Sequence, residues 1–263
     1  MIAKTLEKEL NLEPWQVNKV IKLIDDGNTI PFIARYRKEM HGSMDDQLIR
    51  EFAEKLENLR GLDKRRDEIR SLIDAQEKLT DEINLALDKA ATLSELEDIY
   101  RPYRPKRKTR ASIAKEKGLE PLANDILKQE KGFDPSKSAV DYIDEEKGVT
   151  SVEDAIQGAM DIIAELVSDN AEIRKRIRNL TNANGVLVSV ATDEEKDSVY
   201  KNYYDYKEPV KKIAGHRVLA VNRGEKEGFL KVSVETDSEK PLNSIFRAMI
   251  TDKNQLCSDI IRE

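Results

Sequence analysis

A long, regular apolar stripe between residues 44 and 78 constrains the fold more than any other feature. Apolar residues recur there at about the 3.6-residue period of an α-helix, at Leu48, Phe52, Leu56, Leu59, Leu62, Ile69, Leu72 and Ile73. No proline interrupts the stripe, although Gly61 can weaken a helix. Ser43 and Asp46 have the spacing of a capping box at its start. The pattern predicts one long helix or two nearly collinear ones.

Shorter helices are predicted on both sides of the stripe. Pro14 and Pro31 stand where helices begin, since proline suits the first helical position. Thr80 starts another helix, and Thr92 and Thr150 each precede a Glu by three residues, as in a capping box. Charged residues make up 37% of the chain and aromatic residues 5%, which favours helices with salt-bridged surfaces. The cations at 64–66 stand beside acidic residues, so we expect a solvated ion-pair face there.

The character of the sequence changes after residue 184. Residues 186–190 form a β-branched run, and residues 218–221 and 229–234 also have strand composition. Gly224 and Gly228 between the last two runs predict a β-hairpin, and residues 241–263 predict helix. We therefore expect a mainly α fold, with a helical domain over 1–184 that contains a long helix and helix-turn-helix-like elements. A small α+β segment with a β-hairpin is expected over 185–263.

Composition excludes several classes of site. The net charge is −6 and the pI about 5.4, so any nucleic-acid contact must come from a local basic patch. Cys257 is the single cysteine, and the two histidines, His41 and His216, have no metal-ligand spacing. No nucleophile, phosphate-loop or zinc-protease motif occurs. We expect no catalysis, cofactor, metal or membrane partner, and a cytoplasmic location, which suits the single cysteine.

A basic loop between residues 101 and 110 is the strongest candidate contact surface. It contains six cations and no acid: Arg101, Arg104, Lys106, Arg107, Lys108 and Arg110. Tyr100 and Tyr103 are placed to stack on bases, as in proteins that bind single strands. Alternatively, the arginines pair with neighbouring carboxylates and the tyrosines and prolines form a rigid corner. The tip, 106–110, is the part best suited to contact phosphates.

Two other groups of cations allow a functional and a structural interpretation. Arg35, Arg37 and Lys38 follow Pro31 on a short helix that we expect to carry Phe32, Ile33 and Tyr36 inward; the cations either contact phosphates or complement the helix dipole. Residues 169–180 predict a basic helix with Arg174, Lys175, Arg176 and Arg178. Joined to the helix before it through residues 168–170, it either forms a helix-turn-helix pair or a simple packing unit.

Four segments carry a family resemblance. PFIARYRKE at 31–39, LEDIYRPYRPKRKTRASIAKEKGLEPLA at 96–123, YYDYKEP at 203–209 and HRVLAVNRGEKEGFLKV at 216–232 closely resemble the Tex family of bacterial transcription accessory proteins. The resemblance implies that this chain is the N-terminal part of a longer protein. It also implies that an RNase-H-like domain, helix-hairpin-helix elements and an OB-fold RNA-binding domain follow.

Together these observations predict a non-catalytic nucleic-acid-binding transcription accessory module. We expect weak, sequence-independent binding of RNA or single-stranded DNA through phosphate contacts. The candidate contact residues are Arg104, Lys106, Arg107, Lys108, Arg110, Arg35, Arg37 and Lys38. The alternative is a helical scaffold that offers surfaces to protein partners such as the transcription machinery.

Overall fold

The structure is a computed structural model that describes residues 2–42, 44–105, 107–251 and 253–263. The chain divides into two compact units, Met1–Tyr103 and Arg104–Glu263. The expected boundary between residues 184 and 185 falls inside the second unit, where the first strand begins. Along the described ranges, no helix has both the length and the apolar character that crossing a bilayer requires.

The first unit is helical. Its helices are α1 (Ile2–Leu10), α2 (Pro14–Asp25), α3 (Ile30–Tyr36), α4 (Lys38–His41), α5 (Asp46–Asp74), α6 (Asp81–Lys89) and α7 (Leu93–Tyr100), followed by a 3₁₀ turn at Arg101–Tyr103. The predicted long helix is confirmed as one helix of 29 residues. Its N-cap is Asp45, whose carboxylate accepts the Leu48 backbone N–H. The predicted cap, Ser43, lies outside the described residues.

The long helix α5 organises two successive cores. Ile49, Phe52 and Leu56, near its start, are buried together with residues of α1, α2 and α3. Further along, Leu62, Ile69 and Ile73 are buried with residues of α6 and α7. A single helix thus contributes residues to both cores of this unit, as the length of its apolar stripe requires.

Two expectations about the first unit are wrong. Arg66 is buried rather than part of a solvated face: Nε donates to the Leu87 carbonyl at 2.9 Å and Nη2 donates to the Ala90 carbonyl at 3.0 Å. It gives a further donor to two carbonyls at the end of α6, where the backbone hydrogen bonds of a helix run out. Tyr36 does not point inward, since it is 62% exposed.

The second unit combines helices with a small sheet. In chain order it contains α8 (Arg110–Glu116), α9 (Glu120–Lys128), α10 (Pro135–Ala139), α11 (Val152–Asp169), α12 (Ala171–Asn184), β1 (Val186–Ala191), β2 (Asp205–Pro209), α13 (Gly215–Lys226), β3 (Leu230–Glu235), α14 (Glu239–Met249) and α15 (Gln255–Arg262). The core is built on α11, whose Ala155, Ala159 and Ile162 are buried against residues of α8, α9 and α15. The cap of α11 is Ser151 and not Thr150, because the Ser151 hydroxyl accepts the Asp154 backbone N–H.

The sheet has the order β2-β1-β3, with both pairs antiparallel. The mainly α fold with a small β segment is confirmed, but the hairpin predicted between residues 218–221 and 229–234 is wrong, because residues 218–221 belong to helix α13, which lies between β2 and β3 in the chain. A short apolar run does not distinguish helix from strand by itself. Close packing of the helix on the strand uses Gly224, where an added Cβ would lie 2.5 Å from Leu230 Cδ1.

The two helices of the suggested helix-turn-helix pair follow one another directly. Asn170 ends α11, and its side chain also caps α12 by accepting the Ile173 backbone N–H at 3.0 Å. The basic helix therefore begins two residues later than predicted, at Ala171, and extends four residues further, to Asn184. Its use as a DNA-reading element stays a prediction.

Candidate nucleic-acid interface

The basic loop is anchored at one end and projects cations from there. Thr109 forms a capping box with Ser112 at the start of α8. The Thr109 hydroxyl also donates to Glu165 on α11 at 3.0 Å. Arg104, Arg107, Lys108 and Arg110 are all exposed, whereas Lys106 lies outside the described residues. The loop is therefore fixed at its base, and its described cations face solvent within the second unit.

Carboxylates neutralise these cations only in part. Lys108 pairs with Glu116 at 3.0 Å, but both side chains are more than 60% exposed. Arg110 lies 3.5 Å from Asp161 while its side chain stays 83% exposed. Arg107 has no ion pair within the described part of the chain. Exposed pairs of this kind contribute about 0–1 kcal/mol, so a phosphate can replace the carboxylate at little cost.

Arg110 also lies at the rim of a groove that the sequence did not predict. The groove has a volume of about 690 Å³, and Arg174 and Arg178 of α12 and Arg262 of α15 line it as well. Its floor is apolar, with residues such as Ile177 from α12 and aliphatic and aromatic residues from α11, α14 and α15. The structure thus brings one end of the basic loop and the basic helix to one place. The i, i+4 spacing of Arg174 and Arg178 was the sequence signal for a shared face.

The tyrosines at the other end of the loop have structural roles in the first unit. Tyr100 is buried in the core formed by α5, α6 and α7, with the Arg65 guanidinium 5.7 Å from its ring centre. Tyr103 packs against the same core, and its carbonyl accepts the Gln76 side-chain amide at 3.0 Å. Of the two interpretations of these tyrosines, the rigid corner fits the structure, and Tyr100 is not available to stack on a base.

Of the three cations after Pro31, Arg37 separates from the other two in the structure. The Arg37 guanidinium lies 5.1 Å from the Phe32 ring centre. Arg35 is in the last turn of α3, as the dipole interpretation requires, but Lys38 begins α4. Both Arg35 and Lys38 are exposed and line a cavity of about 860 Å³ in the first unit.

The other family segments are joined by a polar cluster beside the sheet. Tyr206 donates its hydroxyl to Glu208, and Arg217 Nη1 lies 2.9 Å from both Glu208 carboxylate oxygens. The Tyr206 hydroxyl and the Arg217 guanidinium hold the pKa of Glu208 below its ordinary value. The hydrogen bond to Glu208, together with burial, raises the pKa of Tyr206. This cluster fixes α13 to β2, so these segments stabilise the fold of the second unit.

The described residues contain no cluster of three His, Cys, Asp or Glu side chains that could hold a metal ion. Buried Cys257 lies in the core of the second unit, where desolvation raises the pKa of its thiol.

Comparison with known proteins identifies the family. Residues 1–74 match the model of the Tex-like protein N-terminal domain, and residues 130–261 match the Tex central region-like model. Because the second match alone covers half of the chain, this chain belongs to the Tex family. The expected resemblance is confirmed.

Curated relatives share most of the chain. It is 42% identical over 266 residues to the uncharacterized protein YdcI of Bacillus subtilis and 39% identical over 236 residues to the transcriptional accessory protein Tex of Neisseria gonorrhoeae. It is 30% identical over 244 residues to the human S1 RNA-binding domain-containing protein 1. These alignments cover 100%, 89% and 89% of this chain but 37%, 31% and 24% of the relatives, so the chain spans about a third or less of their length.

Proposed function

We propose that this chain is a nucleic-acid-binding module of a transcription accessory protein, which binds RNA or single-stranded DNA weakly through phosphate contacts. The observation that carries the proposal is the exposed cation cluster at Arg104, Arg107, Lys108 and Arg110, in which the ion pairs of Lys108 and Arg110 leave both cations exposed to solvent. Phosphate contacts of this kind position a strand without reading its sequence.

The names of the relatives support the same role. One relative is called a transcriptional accessory protein and another an RNA-binding-domain protein. Arg174, Arg178 and Arg262 extend the positive surface beyond the loop along the groove. An acidic chain with a net charge of −6 repels nucleic acid elsewhere, so binding depends on this local patch.

A salt titration tests the proposal. Binding of a labelled single-stranded RNA is followed by fluorescence anisotropy between about 50 and 200 mM salt, where each phosphate contact contributes a slope of about −0.7 to log K against log salt. The triple variant Arg107→Gln, Lys108→Gln and Arg110→Gln is expected to lower the affinity and to flatten the slope by about two units.

A control variant distinguishes the effect of the loop residues on affinity from the effect of the change in net charge. Lys131→Gln, Lys211→Gln and Lys240→Gln change the charge equally at exposed positions that belong neither to the loop nor to the lining of the groove. They are expected to leave affinity and slope close to wild type. Equal losses in both variants, or salt-independent binding, would contradict the proposal.

We propose further that the module is non-catalytic and acts in the cytoplasm. Incubating the chain with labelled RNA and Mg²⁺ tests the first point, and intact RNA is the expected result. Sustained cleavage that copurifies with the chain would overturn it. Fractionation of the native host cells tests the location.

The apolar floor of the groove favours a second candidate function, a scaffold that docks a protein helix. The described residues that line the groove include four arginines and two acids, Asp161 and Glu263, so the fitting occupant is an amphipathic helix with acidic residues. Leu242 of α14 lines the groove and is 47% exposed. If the scaffold is the main function, Leu242→Ala, which removes apolar surface without changing the charge, weakens binding of a labelled acidic amphipathic peptide while RNA affinity is unchanged.

A further inference from the structure

A cavity in the first unit has the features of an anion site that the basic loop does not explain. It lies where α3, α4 and the start of α5 meet, and its volume is about 860 Å³. Arg35, Lys38 and Arg50 line it together with Asp45 and Asp46. Its wall therefore carries three cations and two carboxylates.

The two carboxylates are already engaged. Asp46 accepts a hydrogen bond from Arg50 Nε at 2.9 Å. Asp45 caps α5 by accepting the Leu48 backbone N–H at 2.8 Å. Arg35 and Lys38 have no ion pair among the described residues, so the free charge at the cavity is positive. The N-terminal end of the 29-residue helix α5 adds the positive end of its dipole.

A buried histidine supplies the second, independent observation. His41 lines the cavity and is only 1% exposed, yet neither Nδ1 nor Nε2 has a hydrogen-bond partner within the described residues. Leaving a buried polar group without a partner costs about 1–3 kcal/mol. A ligand that accepts a hydrogen bond from the imidazole removes part of that cost.

Residues of α2 hold the backbone at His41 in place. The Gln16 side-chain amide donates to the carbonyls of His41 and Gly42 at 2.9 and 3.2 Å. Gly42 has a φ of 57°, and an added Cβ would lie 2.6 Å from the Trp15 ring. The backbone that carries the imidazole is thus held against α2, and this arrangement preorganises the cavity.

We propose that this cavity binds a phosphate monoester dianion between the Arg35 guanidinium, the Lys38 ammonium and the His41 imidazole. A tetrahedral dianion suits this set, because its oxygens accept from several donors at once and its charge matches the two cations. The dianion comes either from free phosphate or from the 5′-terminal phosphate of a strand. The proposal does not depend on Arg104, Arg107, Lys108 and Arg110, which belong to the second unit.

NMR of the histidine rings tests the proposal directly. The chain has two histidines, so the ring signals are assigned with a single variant, and exposed His216 serves as the internal reference. Inorganic phosphate is expected to shift the His41 ring signals saturably, whereas chloride at equal ionic strength leaves them in place. Equal shifts with chloride would overturn the proposal. So would the absence of any shift with both inorganic phosphate and a 5′-phosphorylated oligonucleotide.

Substitutions identify the residues that bind the phosphate. Lys38→Gln and Arg35→Gln are each expected to weaken phosphate binding roughly tenfold, as the loss of a charge-assisted hydrogen bond does. Lys8→Gln, at an exposed position on α1 that does not line the cavity, is the matched control. An equal loss in Lys8→Gln contradicts the site.

A variant of the histidine itself separates binding from folding. His41→Leu keeps a buried side chain of similar size and removes both unpaired nitrogens, so stability in urea is expected to hold or rise while phosphate binding is lost. Unchanged phosphate affinity in a folded His41→Leu chain excludes the imidazole as a ligand.

The source of the phosphate is resolved with two strands of the same sequence. If a 5′-phosphorylated oligonucleotide shifts the His41 signals and its 5′-hydroxyl counterpart does not, the site takes a strand end. If inorganic phosphate alone shifts them, the site takes a small anion. The loop variant Arg107→Gln, Lys108→Gln and Arg110→Gln is expected to keep the His41 response, so the two proposals fail independently.

Discussion

Single residues in this chain act through the partners that the fold gives them. Arg65 and Arg66 are neighbours in a charged segment, yet Arg66 is buried while Arg65 forms exposed or half-buried pairs with Glu68 and Glu97. The planar guanidinium of Arg66 reaches two carbonyls at the end of α6 as well as Asp63. Arginine therefore serves here as a cap for a neighbouring helix.

Replacing Arg66 tests this role. Arg66→Met leaves the Leu87 and Ala90 carbonyls without this donor, so we expect the first unit to lose about 2–4 kcal/mol of unfolding free energy. Urea denaturation followed by circular dichroism measures the change. Lys64→Met, at an exposed position two residues earlier in α5, is expected to have little effect, and equal losses would contradict the capping role.

At the scale of elements, the surroundings of each helix decide what its glycines do. Gly61 lies inside α5 with nothing within 4 Å of an added Cβ. Gly158 lies inside α11, where an added Cβ would be 2.3 Å from Leu119 Cδ1 and 3.4 Å from Ala114 Cβ. One glycine is a weak point in a helix, and the other permits close packing of α11 on its neighbours.

Alanine at these two positions is expected to have opposite effects. Gly61→Ala should stabilise the first unit by about 0.5–1 kcal/mol, because alanine favours the helix and nothing obstructs its methyl group. Gly158→Ala should destabilise the second unit by about 1–3 kcal/mol through overpacking of buried Leu119. Thermal denaturation of both variants against wild type measures the changes, and the same sign for both would refute the packing argument.

At the scale of the whole molecule, a charged chain depends on many individually weak pairs. Hydrogen bonds from Arg60 lower the pKa of Asp25 in the first unit. In the second unit, Tyr206 and Arg217 lower the pKa of Glu208, and the Thr150 side chain lowers the pKa of Asp154. A carboxylate whose pKa is lowered by folding stabilises the folded state only while it is ionised.

Acid is therefore expected to destabilise both units. The stabilising contribution of these groups is complete above their unfolded pKa values of about 4 and is lost as the pH falls through their lower folded values. The urea midpoint should fall between pH 7 and pH 3. Asp25→Asn, which has no carboxylate to protonate, should reduce the fall in the first unit; an unchanged pH dependence would exclude this pair as a contributor.

Local sequence determined much of this fold. The unbroken stripe after residue 44 predicted α5 as one of two options, and capping threonines placed the starts of α6 and α7. These features succeed because helix periodicity and caps depend on residues a few positions apart. The concentration of cations in the basic loop indicated an exposed segment, although their role in binding stays a prediction.

Tertiary structure decided what depends on distant partners. Residues 218–221 have strand composition but form a helix packed on β3, and β3 pairs with β1 instead of with these residues. Neither the groove that joins Arg110 to α12 nor the cavity around His41 follows from spacing along the chain. The sequence by itself determined the helices and the local charge, whereas long-range packing decided which cations are buried, paired or brought together, since burial and ion pairing depend on residues far apart in the chain.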